Sequence, residues 1–277
     1  MANKIFSTYK NKKERSTKNN DRITVEIGHA HVACMVVGGN TNQIEDFEFF
    51  DLGSSRLKNF EESFAYVVIG SRLLDKPYAD KKVFFNSAHS VLIPNQFYSK
   101  ENAHDSLNLI FGNNTTEVFS DDLTRQFQIV NTYRVPVQVK EVVEKNLAVV
   151  TLEHTYTNLL KRIYQELSTL PGSLIKIQFY KNYFIVAVLS EHRLQYVQSL
   201  SYSVAEDVLY HLSSICDHFN LKGTVLQLSG MIDLKATIFE ILSAHFKNIH
   251  IDNLSVPDLD TGDYPLHYFA PFFKLAE

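Results

Sequence analysis

The residues best suited by type and spacing to do chemistry gather near one turn. His29 and His31 stand two apart in an extended segment, so both would point to one side, a spacing that can hold a metal ion. No nearby cysteine or further histidine completes such a set, and histidines beside a turn are ordinarily surface residues. Glu26 precedes them on an apolar alternation, and with Asp51 and Asp233 as companions it could supply the carboxylates that a ribonuclease-H-type nuclease gathers around metal ions. That chemistry needs a surface for a polyanion. The formal net charge of -4, from 27 Lys and Arg against 31 Asp and Glu, provides no such field, so nucleic acid is excluded as the expected partner. Glu206-Asp207 is another acidic pair, but carboxylates in the first turn of a helix favour its dipole and complete its cap, which accounts for them without a metal. The chain holds no G-x-S-x-G elbow and no Walker-type phosphate loop. Its two cysteines, Cys34 and Cys216, sit in apolar surroundings without a Cys-x-x-Cys pair and read as small buried hydrophobes of a reducing compartment. The reading therefore assigns no catalytic residue and no metal site.

The elements that must position these residues follow from periodicity. A chain of 277 residues, 45% hydrophobic and 21% charged, can bury the core of one large domain or two ordinary ones. Residues 1–21 carry Lys4, Lys10, Lys12, Lys13, Arg15 and Lys18 with little to bury, which predicts a basic, flexible tail able to touch an acidic partner or a membrane surface. The N-terminus has no apolar core of a secretory signal, and no segment approaches the roughly 18 uninterrupted apolar residues of a membrane span, so a soluble cytoplasmic protein without an integral membrane segment is expected.

From Ile23 to Ile27 the pattern alternates with period two, turns at Gly28-His29-Ala30, and resumes from Val32 to Val37, a hairpin. A third strand spans Ile44 to Leu52, Gly53-Ser54-Ser55 offers a helix start, and Leu57, Phe60, Phe64, Val67 and Val68 recur at helical spacing. A strand at Val83-Phe84-Phe85 follows. The middle predicts a short apolar element at Val91-Leu92-Ile93, a helix over 102–111, strands at 117–119 and 127–135, a helix opened by Pro136, a strand over 147–152 and a helix over 154–170 that ends at Pro171-Gly172. Then come strands over 174–179, 184–189 and 194–200, a helix whose start carries the S-x-x-E spacing of Ser203 and Glu206, a strand at Thr224 to Leu228, a helix around Leu234 to Leu242 and a strand at Asn248 to Ile251. The last residues, with Phe269, Phe272 and Phe273, form an aromatic tail expected to bury within its own domain.

Meander, helix, strand thus occurs twice. The fold class expected is α/β with mixed sheets, built of duplicated ribonuclease-H-like βββαβαβ units as in the actin-like ATPase fold. The domains expected are the tail 1–21, a first half 22–171 with extra middle elements, and a second half 172–277 with the aromatic tail.

Leu92-Ile93-Pro94, Tyr202-Ser203 with Glu206-Asp207 and Tyr210, and Leu226 to Gly230 resemble an uncharacterised family, mainly from Bacteroidetes, whose members have an actin-like ATPase fold. That family is similar in fold to pilus-assembly and type II secretion ATPase-like proteins, several of which are adaptors. The resemblance covers most of the chain from Arg22 and implies where a nucleotide would bind, because the first hairpin of each actin-like half cradles phosphates with turn N–H groups and an acidic residue holds the metal. Glu26-Ile27-Gly28-His29 is similar to that turn, with Glu for Asp and His for a small hydroxyl residue. The second turn, Lys181-Asn182-Tyr183, has neither glycine nor carboxylate, and Ser229-Gly230-Met231 stands where a glycine-rich adenosine loop would be. The residues implied for a residual nucleotide cleft are Glu26, Gly28, His29, Ser229 and Gly230, with ATP and Mg²⁺ as the cofactors. The plainer account is that Gly28 makes a hairpin turn and Gly230 ends a strand. The expectation is a non-catalytic protein-binding adaptor or scaffold without a cofactor, acting on an unidentified protein partner. The alternative is a nucleotide-binding switch or weak ATPase using the cleft between the halves.

Overall fold

Period-two alternation builds the first sheet of the computed structural model, which describes residues 2–10, 20–53, 60–148, 151–252 and 259–276. The chain divides into two units. The first comprises Met1–Tyr164, Val256–Asp260 and Phe272–Glu277, and the second Gln165–Ser255 and Thr261–Pro271.

In the first unit β1 (Asn3–Tyr9), β2 (Arg22–Ile27), β3 (His31–Val37), β4 (Ile44–Asp51), β5 (Asp80–Phe85) and β9 (Thr151–His154) form one sheet in the order β1-β4-β3-β2-β5-β9. The meander is antiparallel, while β5 and β9 run parallel to β2. Ile23, Val25 and Ile27 of β2 share a core with Phe60, Phe64 and Val67 of α1 (Phe60–Gly70), whose spacing of three and four residues makes one apolar stripe. The expected helix start at Ser54-Ser55 and the position of Leu57 lie outside the described residues. Between β5 and β9 the chain inserts a small antiparallel sheet, β6-β8-β7 (Ser90–Pro94, Ile129–Pro136, Glu117–Thr124), with α2 (Lys100–Phe111) and α3 (Val137–Leu147). The short apolar element ending at Pro94 is thus a strand, and Pro136 stands at the N-cap of α3.

The expectation that residues before Arg22 form only a solvated tail is corrected here. Asn3–Tyr9 pairs antiparallel with β4, from Asn3 opposite Asp51 to Tyr9 opposite Asp46. Lys4 contributes to that edge, because its Nζ lies 2.8 Å from the carboxylate of Glu48, which is fully buried and would otherwise be desolvated without a counter-charge. Residues 11–19, with Lys12, Lys13, Arg15 and Lys18, lie outside the described residues.

The second unit repeats the plan. Its sheet, β10 (Ser173–Phe179), β11 (Tyr183–Ser190), β12 (Arg193–Ser201), β13 (Val225–Gly230) and β14 (Ile249–Ile251), has the order β12-β11-β10-β13-β14. That is third, second, first, fourth, fifth, the same order as β4-β3-β2-β5-β9 in the first unit. β11 is buried on both faces, as its unbroken apolar run requires. Val208, Leu212 and Ile215 of α5 (Ala205–His218) pack on β10 and β13, each burial stabilising by about 1.5–3 kcal/mol. The cap of α5 lies one residue beyond the Ser203 to Glu206 spacing. Asp207 accepts from the N–H of Ser203 (2.8 Å) and of Val204 (3.1 Å), and these bonds hold its carboxyl below the usual range. α6 (Thr237–His245) covers the same core through Leu242.

The aromatic tail forms a short 3₁₀ turn at Leu266–Phe269 and then α7 (Ala270–Ala276). Placing all of it in the second half is also corrected, since Phe272 onward belongs to the first unit. The second face of that sheet presents Phe47 and Phe49, and Phe273 lies 5.0 Å from Phe47 and Phe272 5.3 Å from Phe49, all four rings buried.

Candidate functional site

Glu26 lies on β2 between Val25 and Ile27, whose side chains enter the helix-covered core, so the pleat sends its carboxylate to the other face. There it is fully buried. Oε1 accepts from Asn86 Nδ2 (2.9 Å) and Thr155 Oγ1 (3.0 Å), and Oε2 lies 3.1 Å from His31 Nε2. Asn86 follows β5 and Thr155 opens α4 (Thr155–Glu166) after β9. The donors therefore come from the carboxyl ends of the two parallel strands, where open α/β sheets place their ligands. These bonds offset the cost of burying the carboxylate.

Gly28 closes the turn by donating its N–H to the carbonyl of His31 at 3.0 Å. A Cβ on Gly28 would stand 2.1 Å from Cε1 of His31, so the imidazole lies directly against the glycine. Phe49 stacks on that ring at 5.6 Å and 18°, and the edge of Phe272 meets it at 5.4 Å and 78°. His29 is exposed at the tip. The two-histidine arrangement is not formed, because His31 turns onto Glu26. Among the described residues no group of three or more His, Cys, Asp or Glu is placed to hold a metal ion. Asp51 accepts from the N–H of Gly53 at 2.7 Å, and Asp233, in the second unit, from that of Lys235 at 2.8 Å, so each serves its own local turn.

Next to Glu26 is a polar layer that sequence reasoning missed. His154, fully buried, directs Nε2 to the carbonyl of Ser87 (3.0 Å) and accepts at Nδ1 from the N–H of Tyr156 (3.1 Å). Burial pushes its pKa down to about 3, so the ring is neutral and both nitrogens are engaged. Asp122 accepts from His154 N (2.6 Å) and Thr157 Oγ1 (2.8 Å), and desolvation raises its carboxyl above the usual range. The one available signal was position, since Asn86 directly follows β5, His154 is the last residue of β9 and Thr155 directly follows it.

In the second unit the corresponding turn closes through Tyr180 N–H to the carbonyl of Tyr183 at 2.9 Å. The rings of Tyr180 and Tyr183 stack at 4.7 Å and 4°. Tyr202 Oη donates to the carbonyls of Tyr180 (2.8 Å) and Lys181 (3.3 Å). Gly230 has φ +89°, and a Cβ there would stand 2.1 Å from the backbone oxygen of Phe179, to which Met231 N–H also bonds at 2.8 Å. Glycine is therefore required by the close approach of two backbones. Ser229 is buried with its hydroxyl 3.4 Å from the carbonyl of Ile177. Of the residues expected to form a nucleotide cleft, Glu26 and Gly28 meet under His31 in one unit, while Ser229 and Gly230 end a strand in the other. A nucleotide phosphate does not fit the first turn as it stands, because the imidazole covers Gly28 and both oxygens of Glu26 are already hydrogen-bonded.

Solved structures share this fold. A Bacteroides thetaiotaomicron protein with an actin-like ATPase fold and unknown function matches with a TM-score of 0.76 at 12% identity, covering 85% of this chain and 91% of that one. A chain of the PilM-PilN type IV pilus biogenesis complex matches at 0.59 and 11% identity over 94% and 97%. The ethanolamine utilization protein EutJ from Carboxydothermus hydrogenoformans matches at 0.52 and 7% over 95% and 91%. At such identities the likeness shows the fold, which is the actin-like ATPase fold expected from the duplicated order of elements. No curated protein sequence matches the chain. Among the described residues no helix is long and apolar enough to cross a membrane. A family model described as protein of unknown function DUF3822 matches residues 10–249, and the chain belongs to that family.

Proposed function

We propose that this protein is a non-catalytic member of the actin-like fold, a pseudo-ATPase that works in the cytoplasm as an adaptor or scaffold for a protein partner. The observation that carries this reading is the imidazole of His31 against Gly28, with its Nε2 on Glu26. Phosphoryl transfer from a bound nucleotide needs turn N–H groups facing phosphate and a carboxylate near the metal. Here the acid and the glycine persist in type, but packing uses both. The second turn, filled by stacked tyrosines, supports the same conclusion. The PilM-PilN structure is by its name a complex of two proteins, which lends the adaptor reading a precedent within the fold.

Affinity capture of the tagged full chain from its native cell, with and without ATP and Mg²⁺, tests the proposal. A stoichiometric protein partner retained equally in both conditions is the expected result. A partner held only with nucleotide, or no partner at all, would refute it.

A further inference from the structure

The inserted sheet is tied to the start of α4 by hydrogen bonds, and one carboxylate gathers three of them. Asp122 of β7 lies opposite Asn131 of β8, and its Oδ2 accepts from the backbone N–H of His154 (2.6 Å) and from Thr157 Oγ1 (2.8 Å). Its Oδ1 accepts from Tyr133 Oη at 3.3 Å. Asn131 Nδ2 donates to Thr157 Oγ1 at 3.2 Å and Ser90 Oγ to Asn131 Oδ1 at 2.5 Å, so the chain of bonds runs from β6 through β8 to α4. Ser90, Asn131, Tyr133, His154 and Thr157 are buried, whereas Asp122 is half-buried and open to proton exchange with solvent.

Every donor on Asp122 is a neutral group, and among the described residues it has no ion pair. The charged groups around it are committed elsewhere. Lys161 of α4 holds Glu153 at 2.9 and 3.0 Å, Arg134 of β8 donates to Gly112 and Asn108, and Asp121, on the other face of β7, accepts from Thr132 Oγ1 at 2.6 Å. Glu153 of β9 repels the charge, and the neutral ring of His154 directs its nitrogens to Ser87 and Tyr156. A carboxylate withdrawn from water without a cation favours its protonated form, whereas opening the joint would return it to water, where ionisation is unopposed. Desolvation accordingly raises its carboxyl, against the bonds from His154 and Thr157 that lower it.

We propose that Asp122 is a proton-operated clasp between the inserted sheet and α4, looser while ionised near neutral pH and tighter once it has taken up a proton in mild acid. As a neutral acid it keeps one oxygen to accept from His154 and Thr157 and gains an O–H that Tyr133 Oη can accept, so the joint survives the proton. The folded value lies above the unfolded one, so stability from this group falls as pH rises from the ordinary 3.8 through the raised value. His154 acts in the opposite sense over part of that range, and variants at position 122 keep that contribution. The clasp needs neither a nucleotide nor a partner, so it and the adaptor reading can fail separately.

Hydrogen-deuterium exchange of the full chain, read on peptides covering residues 117–124 and 151–157 and corrected for intrinsic rates, tests the clasp. Asp122→Asn, which mimics the neutral acid at every pH, is expected to be protected about threefold more than the unaltered chain at about pH 7.5, and the excess should disappear towards about pH 4. An Asp122→Asn chain equally or less protected at the higher pH overturns the proposal, as does an excess that does not change with pH. Should that variant not fold, Tyr133→Phe removes one bond to the ionised form and is expected to move the pH at which protection rises upward by about 0.5. A profile that stays in place overturns the proposal as well.

Discussion

The turn joining β2 to β3 and the turn joining β10 to β11 occupy the same place in the duplicated plan and close with the same backbone hydrogen bond, 3.0 Å from Gly28 to His31 and 2.9 Å from Tyr180 to Tyr183. They differ in what fills them. The first keeps an acid and a glycine, yet folds a histidine over the glycine and surrounds the acid with donors. The second has Tyr180 in place of the glycine, Tyr183 in place of the histidine and Gln178 in place of the acid. One backbone frame therefore accommodates two unrelated fillings, and the side chains, not the frame, decide whether a phosphate could enter. Glu26 now joins the ends of three strands, a structural role that a carboxylate of its position can hold without any ligand.

The glycines separate the two units most sharply. Gly230→Ala forces a Cβ onto the backbone of Phe179 at a positive φ, and is expected to lower stability by about 4 kcal/mol in urea unfolding. Glu26→Ala removes the carboxylate that Asn86, Thr155 and His31 share and should cost about 3 kcal/mol by the same measurement. At Gly28→Ala the nearest atoms to the new Cβ are those of the His31 imidazole, so about 2 kcal/mol is expected, and adding His31→Ala should recover part of it. Strict additivity in that double-mutant cycle would show that His31 does not cover the turn.

Acid should distinguish the first unit through His154. Its folded pKa of about 3 lies below the ordinary value near 6.5, so between those values the unfolded chain binds the extra proton. Stability is expected to fall with decreasing pH across that window, by at most roughly 1.4 kcal/mol per pH unit from this group, and the acid limb should flatten in His154→Gln. The smallest effect belongs to the second unit. Glu191 and His192 have φ of 51° and 57°, the left-handed pair of a two-residue hairpin turn that favours Asn and Gly. Glu191→Asn should raise the unfolding free energy by about 0.5 kcal/mol. A loss would mean that the Glu191 side chain supports the turn.

The repeated meander, helix and strand were legible because each element carries its own period, and the order alone implied the fold. β1 was not, since Asn3–Tyr9 becomes a strand through β4, some forty residues on, and Lys4 finds its acid only there. The helix start at Ser203 was legible to within one residue, because Glu206 and Asp207 are adjacent acids and only geometry chooses Asp207. Glu26 and Gly28 could be read as a turn with an acid beside it. The position of His31 over Gly28 could not, because Phe49 and Phe272 that hold the ring come from distant segments. Burial of the aromatic tail was foreseeable from composition, whereas its destination on Phe47 and Phe49 depended on which sheet face lacked a helix.

The central claim is that the first turn is filled by the protein itself. Titrating ATP with Mg²⁺ into the full chain by isothermal calorimetry tests it most directly. The filled turn predicts no binding heat. Micromolar binding to the unaltered chain, lost when Glu26 or Gly28 is changed, would contradict it.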